Sequence, residues 1–144
     1  MEHVAIMKKS WGLTGKILDG RKTIESRWYA SRRAPWGRIK KGDTVYFKNS
    51  GEPVTVRAAV RGVLQFSGLS PAKVKKILGE YGERDGIERG EKRFFYGLFR
   101  NKKYCVLVFL GKIGRVRPFR IDKSGFGAMS SWISVGSIEK IRRA

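Results

Sequence analysis

The stretch Asp19-Gly20-Arg21-Lys22-Thr23-Ile24-Glu25-Ser26-Arg27-Trp28-Tyr29 is the most distinctive string in the 144-residue chain. Gly20 permits a sharp turn. Two cations and a hydroxyl follow it, then a carboxylate and a guanidinium two residues apart. Thr23–Tyr29 has the composition of a strand, and alternate strand side chains share a face. Thr23, Glu25 and Arg27 therefore group on one side, with Ile24, Ser26 and Trp28 on the other. Glu25 and Arg27 stand roughly 7 Å apart along such a strand. Either they form an ordinary ion pair beside a solvated basic turn, or they present a donor–acceptor fork to a planar ligand. Lys22, at the turn, is placed to meet a phosphate.

Working outward, His3–Met7 reads as a first strand. A short helix over Trp11–Asp19 is capped by Ser10 and closed by Gly20. Downstream lies a basic loop, Ala30–Lys41, then a strand over Thr44–Lys48 and a turn at Asn49-Ser50-Gly51. Pro53–Phe66 alternates, with Val54, Val56, Ala58, Val60, Leu64 and Phe66 inward and Thr55, Arg57, Arg61 and Gln65 outward. Ser70-Pro71 starts a helix whose apolar face is Val74, Ile77, Leu78 and Tyr81. The Gly-rich, mixed-sign run around Glu80–Glu91 reads as a solvated loop. Tyr104–Leu110 is a buried central strand, and Ile113–Ile121 continues as a basic strand. Gly125–Ser131 is a loop, Trp132–Val135 a short strand and Ser137–Arg143 a terminal helical turn. Strand follows strand more often than helix. The predicted fold is α+β, a small mixed β-barrel of five to six strands with two or three short helices covering its ends, in one domain spanning residues 1–144.

Charge then narrows the function. Lys and Arg total 32 against 12 Asp and Glu, a formal charge of +20. The excess is +8 over residues 1–50, +4 over 51–100 and +8 over 101–144, so it is not confined to a tail. Such self-repulsion on a small domain points to a polyanionic partner. One cysteine, Cys105, forbids an internal disulfide, and with the single His3 it rules out a Cys/His zinc cluster. No apolar run approaches the ~20 residues of a membrane span, and no secretory signal is visible. The expectation is a soluble, cytoplasmic protein. His3 lies too near the terminus to be offered as a general base, so histidine-based catalysis is not expected.

Gly20-Arg21-Lys22-Thr23-Ile24-Glu25-Ser26-Arg27 resembles the G-x-K-x-x-E-x-R signature of the ASCH domain family, within the PUA-like superfamily. The strand and helix before it, the Trp/Tyr-containing basic loop after it, and Lys41-Gly42-Asp43-Thr44-Val45-Tyr46-Phe47 extend the resemblance over residues 3–66. It implies a PUA-like barrel and a cleft between the barrel mouth and the first helix, in which Lys22, Thr23, Glu25 and Arg27 lie. Proteins of this fold mostly bind RNA or act on nucleic acids or nucleosides. One branch deacylates modified cytidine with the motif lysine, a threonine three residues on and a distant glutamate; here Glu25 replaces that threonine. Other members have been proposed as ribonucleases. Glu25-Ser26-Arg27-Trp28-Tyr29 looks more like the nucleic-acid-binding branch of transcription coactivator proteins.

The expected function is therefore nucleic-acid binding, RNA or DNA, with a single-stranded or modified base or a phosphate held in the cleft. Trp11 roofs it, either sandwiching a base or plugging the barrel. Trp36, between arginines in Arg32-Arg33-Ala34-Pro35-Trp36-Gly37-Arg38, is the leading stacking residue, and Trp132 closes the cleft from the C-terminal side. Lys16, Arg32, Arg33, Arg38 and Lys48 rim it with positive charge. The alternative is a metal-independent hydrolase acting on a modified nucleoside or on RNA, with Lys22 as base or phosphate anchor. Glu25 would be its general acid/base if burial raises its pKa. No cofactor, metal or membrane is expected in either case.

Overall fold

The computed structural model describes residues 1–143, so of the expected 1–144 domain only residue 144 lies outside the described residues. Seven strands form one sheet: β1 (Glu2–Met7), β2 (Ile24–Tyr29), β3 (Thr44–Asn49), β4 (Val54–Phe66), β5 (Tyr104–Ile121), β6 (Trp132–Val135) and β7 (Arg142–Arg143). The order is β2-β5-β4-β3-β1-β6, with β7 added to the far end of β5. Only β1–β3 pairs in parallel. The mixed sheet curls into a half-barrel, leaving a seam between its two outermost strands, β2 and β6. Three helices accompany it: α1 (Leu13–Leu18), α2 (Pro71–Tyr81) and α3 (Lys92–Phe99).

Local sequence accounts for most of this. Ser70 accepts the Lys73 amide at 3.3 Å and Pro71 opens α2, which buries Val74, Ile77 and Leu78. Val54, Val56, Ala58 and Val60 point inward from β4 as their alternation requires. The expected continuation to Leu64 and Phe66 does not hold. A register shift at Val60/Gly62 breaks the alternation, leaving Leu64 exposed and Phe66 half-buried.

Three further expectations are corrected. The helix expected from Trp11 divides at Gly12, whose φ of 64° stops a 3-10 turn (Lys9–Trp11) before α1 begins. The two strands expected on either side of Gly111-Lys112 are one continuous β5, which absorbs those residues as a bulge with Lys112 at φ 48°. The terminal helical turn shrinks to a 3-10 turn, Ile138–Lys140, followed by β7. Residues 89–99 hold a 3-10 turn capped by Glu88 and Glu91, and then α3, neither of which the sequence reading identified.

Three apolar clusters fill the interior. One lies within the half-barrel around Phe47, Val56, Val106 and Trp132. A second packs α2 and α3 against β2 and β5 through Ile24, Trp28, Val74, Phe95 and Leu107. A third closes the far end around Tyr46, Phe119 and Ile133. Beside the first, His3 is 0% exposed, with Nε2 at 2.9 Å from Asp43 and Nδ1 at 2.8 Å from Ser134. The Trp132 indole N–H donates to Nδ1 at 3.1 Å, so the proton sits on Nε2 and is donated to Asp43. Burial holds the His3 pKa below its ordinary value, although Asp43 works the other way. Closed off from solvent, this chain of bonds ties β1 to β6 and to the start of β3.

Candidate functional site

The seam between β2 and β1/β6 opens into a cleft of about 260 Å³. Its position follows from the sheet order, since no ladder joins the two outermost strands. Arg27 bridges the gap instead. Its guanidinium donates to the main-chain oxygens of Ser131 (3.1 Å) and Ile6 (3.3 Å), and it stacks 5.2 Å from the Trp132 ring centre. On the same face of β2, Glu25 Oε2 accepts from Arg27 Nε at 2.9 Å and Nη2 at 2.7 Å. Of the two sequence readings, the ion pair is the one realised.

Lys22 forms the floor. It is 1% exposed, and its ammonium donates to Ile24 O (2.6 Å), Asp85 O (2.7 Å) and an Asp85 carboxylate oxygen, with Glu25 Oε1 at 3.0 Å. Asp85 also accepts from the Ser26 hydroxyl, which in turn accepts the Trp28 indole N–H at 3.0 Å. Burial disfavours the charged ammonium of Lys22, but Asp85 and Glu25 outweigh it and raise its pKa. Burial likewise disfavours the Glu25 carboxylate, and Lys22 and Arg27 outweigh it, lowering the Glu25 pKa. Asp85 goes the other way, because burial and the neighbouring Glu25 charge raise its pKa above the usual carboxylate range despite Lys22. Two cations thus face two carboxyl groups in a closed network.

The walls are aromatic. Trp28 stacks on Phe99 with ring centres 4.8 Å apart, and Trp11 meets Phe95 edge-on at 5.1 Å. All four rings line the cleft, and the Lys8 ammonium sits 5.3 Å over the Trp11 ring. Trp11, half-buried, both lines the cleft and packs on the second core cluster. Through Tyr29 and Ser131 the cleft runs into a second depression, lined also by Arg33, Phe126 and Met129, the last 94% exposed.

The structure thus brings Lys22, Glu25, Arg27 and Trp11 together, sets Arg33 and Trp132 beside the adjoining depression, and disperses the other sequence candidates. Lys22 is no phosphate contact at a turn: its N–H groups are spent on internal acceptors. Thr23 does not share the face of Glu25 and Arg27; it precedes β2 and lies in a separate trough beside Arg61 and Arg84. Lys48 is only 9% exposed, on β3, and burial lowers its pKa. Lys16 bonds Gly86 O at 2.8 Å and sits within 3.5 Å of Glu88 and Glu91, tying α1 to the 83–91 loop. Trp36 is half-buried, edge-on to Tyr104 at 5.2 Å with Arg32 at 5.6 Å over its ring, and is not among the cleft-lining residues. Trp132 is 4% exposed and belongs to the core. Arg32, Arg33 and Arg38 are exposed.

The main omission is Asp85. It lay in the mixed-sign run read as a solvated loop, yet it is 5% exposed and bridges Lys22 and Ser26. Its neighbour Ile87 is also buried.

Neither the protein-family models nor the curated proteins contain a match to the sequence. Solved structures do match. The crystal structure of ASCH from Zymomonas mobilis superposes with a TM-score of 0.68 at 18% identity, covering 96% of this chain and 90% of its own. A point variant of that protein gives 0.68 at 17%, covering 96% and 93%. The hypothetical protein PH0355 gives 0.52 at 19%, covering 81% of this chain and all of its own. The architecture is therefore the ASCH-type α+β fold. Among the described residues no helix is long and apolar enough to cross a membrane.

Proposed function

We propose that this chain is a nucleic-acid-binding protein whose seam cleft receives one unpaired base, while the surrounding basic surface holds the phosphates. The observation that carries this is the contrast between cleft and surface. On a chain of charge +20, the cleft floor is charge-balanced and its walls are four aromatic rings. A phosphate gains little from a floor whose cations are already matched; a flat, uncharged ring gains stacking. At about 260 Å³, the space lies at the small end of ligand clefts, roughly 300–1,000 Å³. That size suits one base. Lone pairs left on Glu25 and Asp85 are available to its N–H groups. The ASCH resemblance read from the motif points the same way.

The hydrolase reading needed burial to raise the Glu25 pKa. The Glu25 carboxylate is instead held in its charged form by Lys22 and Arg27. That makes Glu25 a poor proton donor; the carboxyl whose pKa is raised is Asp85, and its oxygens are engaged by Lys22 and Ser26.

The test is a titration of tryptophan fluorescence with single-stranded RNA and DNA oligonucleotides at 50 mM and 200 mM salt. Binding is expected to weaken with salt, with log K falling by about 0.7 per phosphate contact for each tenfold rise in salt, or about 0.4 per contact between 50 and 200 mM. Trp11→Ala is expected to cost about 1–3 kcal/mol, the worth of one stacked base. Absence of binding to both oligonucleotides at 50 mM salt refutes the proposal.

A further inference from the structure

The outer face of the β4–β5 ladder carries a second concentration of charge that the cleft does not use. Arg57 and Arg61 leave β4 on its outward side, between the buried Val56, Ala58 and Val60. Lys112 and Arg115 are exposed on β5. The register sets Arg57 opposite Gly114 and Ala59 opposite Gly111. Ala59 and Gly114 floor a trough of about 350 Å³ walled by Arg57, Lys112 and Arg115. Next to it, Arg61 and Arg84 wall a second trough of about 290 Å³ over Gly62. Gly111 makes room for Arg61 to lie across β5, since a Cβ there would come within 2.5 Å of the arginine side chain. Lys112 holds a left-handed φ of 48°, which residues other than glycine seldom take. The bulge it forms puts a cation where a glycine would be the relaxed choice.

Among the described residues none of these five cations has a salt-bridge partner, and no acid lines either trough. The first trough has no aromatic residue, and in the second the Phe109 ring is covered by Arg84 at 5.9 Å. The aromatic lining of the cleft is missing here, and four of the five cations, Arg57, Arg61, Lys112 and Arg115, sit on a rigid hydrogen-bonded ladder. Such a surface recognises phosphates and not unpaired bases. The first trough lies over β3, β4 and β5, away from the seam, and shares no lining residue with the cleft. We propose that the outer face of β4–β5 is a second nucleic-acid site that grips the phosphate backbone of a double-stranded segment through Arg57, Lys112, Arg115, Arg61 and Arg84. The proposal goes beyond the cleft reading and does not require it.

The test uses a blunt-ended 16-base-pair duplex, made as DNA and as RNA, which offers the cleft no unpaired base. Binding is followed by fluorescence anisotropy between 50 and 200 mM salt for the parent chain, for Arg57→Gln/Lys112→Gln/Arg115→Gln, and for a charge-matched control on α2, Lys73→Gln/Lys75→Gln/Lys76→Gln. All six side chains are exposed, so each triple variant keeps the fold. Loss of three contacts lowers the slope of log K against log salt by about 2.7, at ~0.9 per phosphate. Over a fourfold rise in salt, the parent then loses about 40-fold more affinity than the face variant. The α2 control is expected to keep the parent slope. The proposal is overturned if neither duplex binds at 50 mM salt, if the face variant keeps the parent slope, or if the α2 control loses as much. Failure of the cleft reading shows separately, as Trp11→Ala leaving single-strand binding unchanged.

Discussion

Replacing Lys22 by methionine removes one ammonium and leaves a side chain of similar length in the nearly buried floor of the cleft. The energetic consequence follows from what remains. Lys22 is 1% exposed and lies within 3.0 Å of Glu25 and in direct contact with Asp85. Without it, two carboxyl groups share a buried pocket with only Arg27 as counter-charge, and two main-chain oxygens, Ile24 O and Asp85 O, lose their donor. Breaking a buried ion pair from one side costs about 3–5 kcal/mol. A domain of this size loses about 3 °C of Tm per kcal/mol, so Lys22→Met is expected to melt about 10–15 °C below the parent. The deficit also depends on pH. In the parent, the Glu25 pKa is depressed, so the stability it contributes is present above the unfolded carboxyl value and lost as pH falls through the folded one. Asp85 is already raised in the parent by burial and Glu25, with Lys22 restraining it; in the variant that restraint is gone, and the pair's upper folded pKa rises further above its unfolded value. That contribution is full below the unfolded pKa and disappears as pH climbs through the folded one. The gap between parent and variant therefore narrows on going from pH 7.5 to pH 5. Urea denaturation at both pH values measures it. A deficit under ~1 kcal/mol, the worth of an exposed pair, or one independent of pH, refutes the account of Lys22 as the buried centre of this network.

Two further outcomes are expected. The depressed pKa of His3 means that its contribution is present above its unfolded value and is lost as pH falls through the folded one. The parent should lose up to about 1.4 kcal/mol per pH unit on acidification below ~6.5, and His3→Gln should lack that component; equal urea midpoint shifts in both between pH 7.5 and 5.5 exclude this. Cys105 is fully buried on β5, and burial pushes its thiol pKa far up. It should react with a thiol reagent only as fast as the chain unfolds, and immediate labelling of the native protein contradicts its placement.

Where the sequence was legible, one local period or one turn residue decided the structure. Ser70-Pro71 started α2, Tyr104–Leu110 became the buried half of β5, and Glu25 with Arg27 came out on one face of β2. What stayed hidden depends on partners distant in sequence. Asp85 meets Lys22 across 63 positions and Ser26 across 59, and nothing in the composition of residues 79–93 separates it from its exposed acidic neighbours. Lys22 was misjudged for the same reason, since a lysine after a glycine turn looks solvated until its carboxylates are found. Trp132, expected at the cleft by analogy of fold, and Lys48, expected there by its place in the chain, are both turned into the molecule by the sheet. Helix α3 escaped because Phe94 and Leu98, both exposed, blur the apolar stripe that Phe95 begins.

Strand β5 has a consequence of its own. Over its 18 continuous residues it pairs first with β2, which carries Glu25 and Arg27, and then bears Lys112 and Arg115. The distance between the seam cleft and the basic outer face is therefore set by one continuous strand, and no loop between them can lengthen or shorten it.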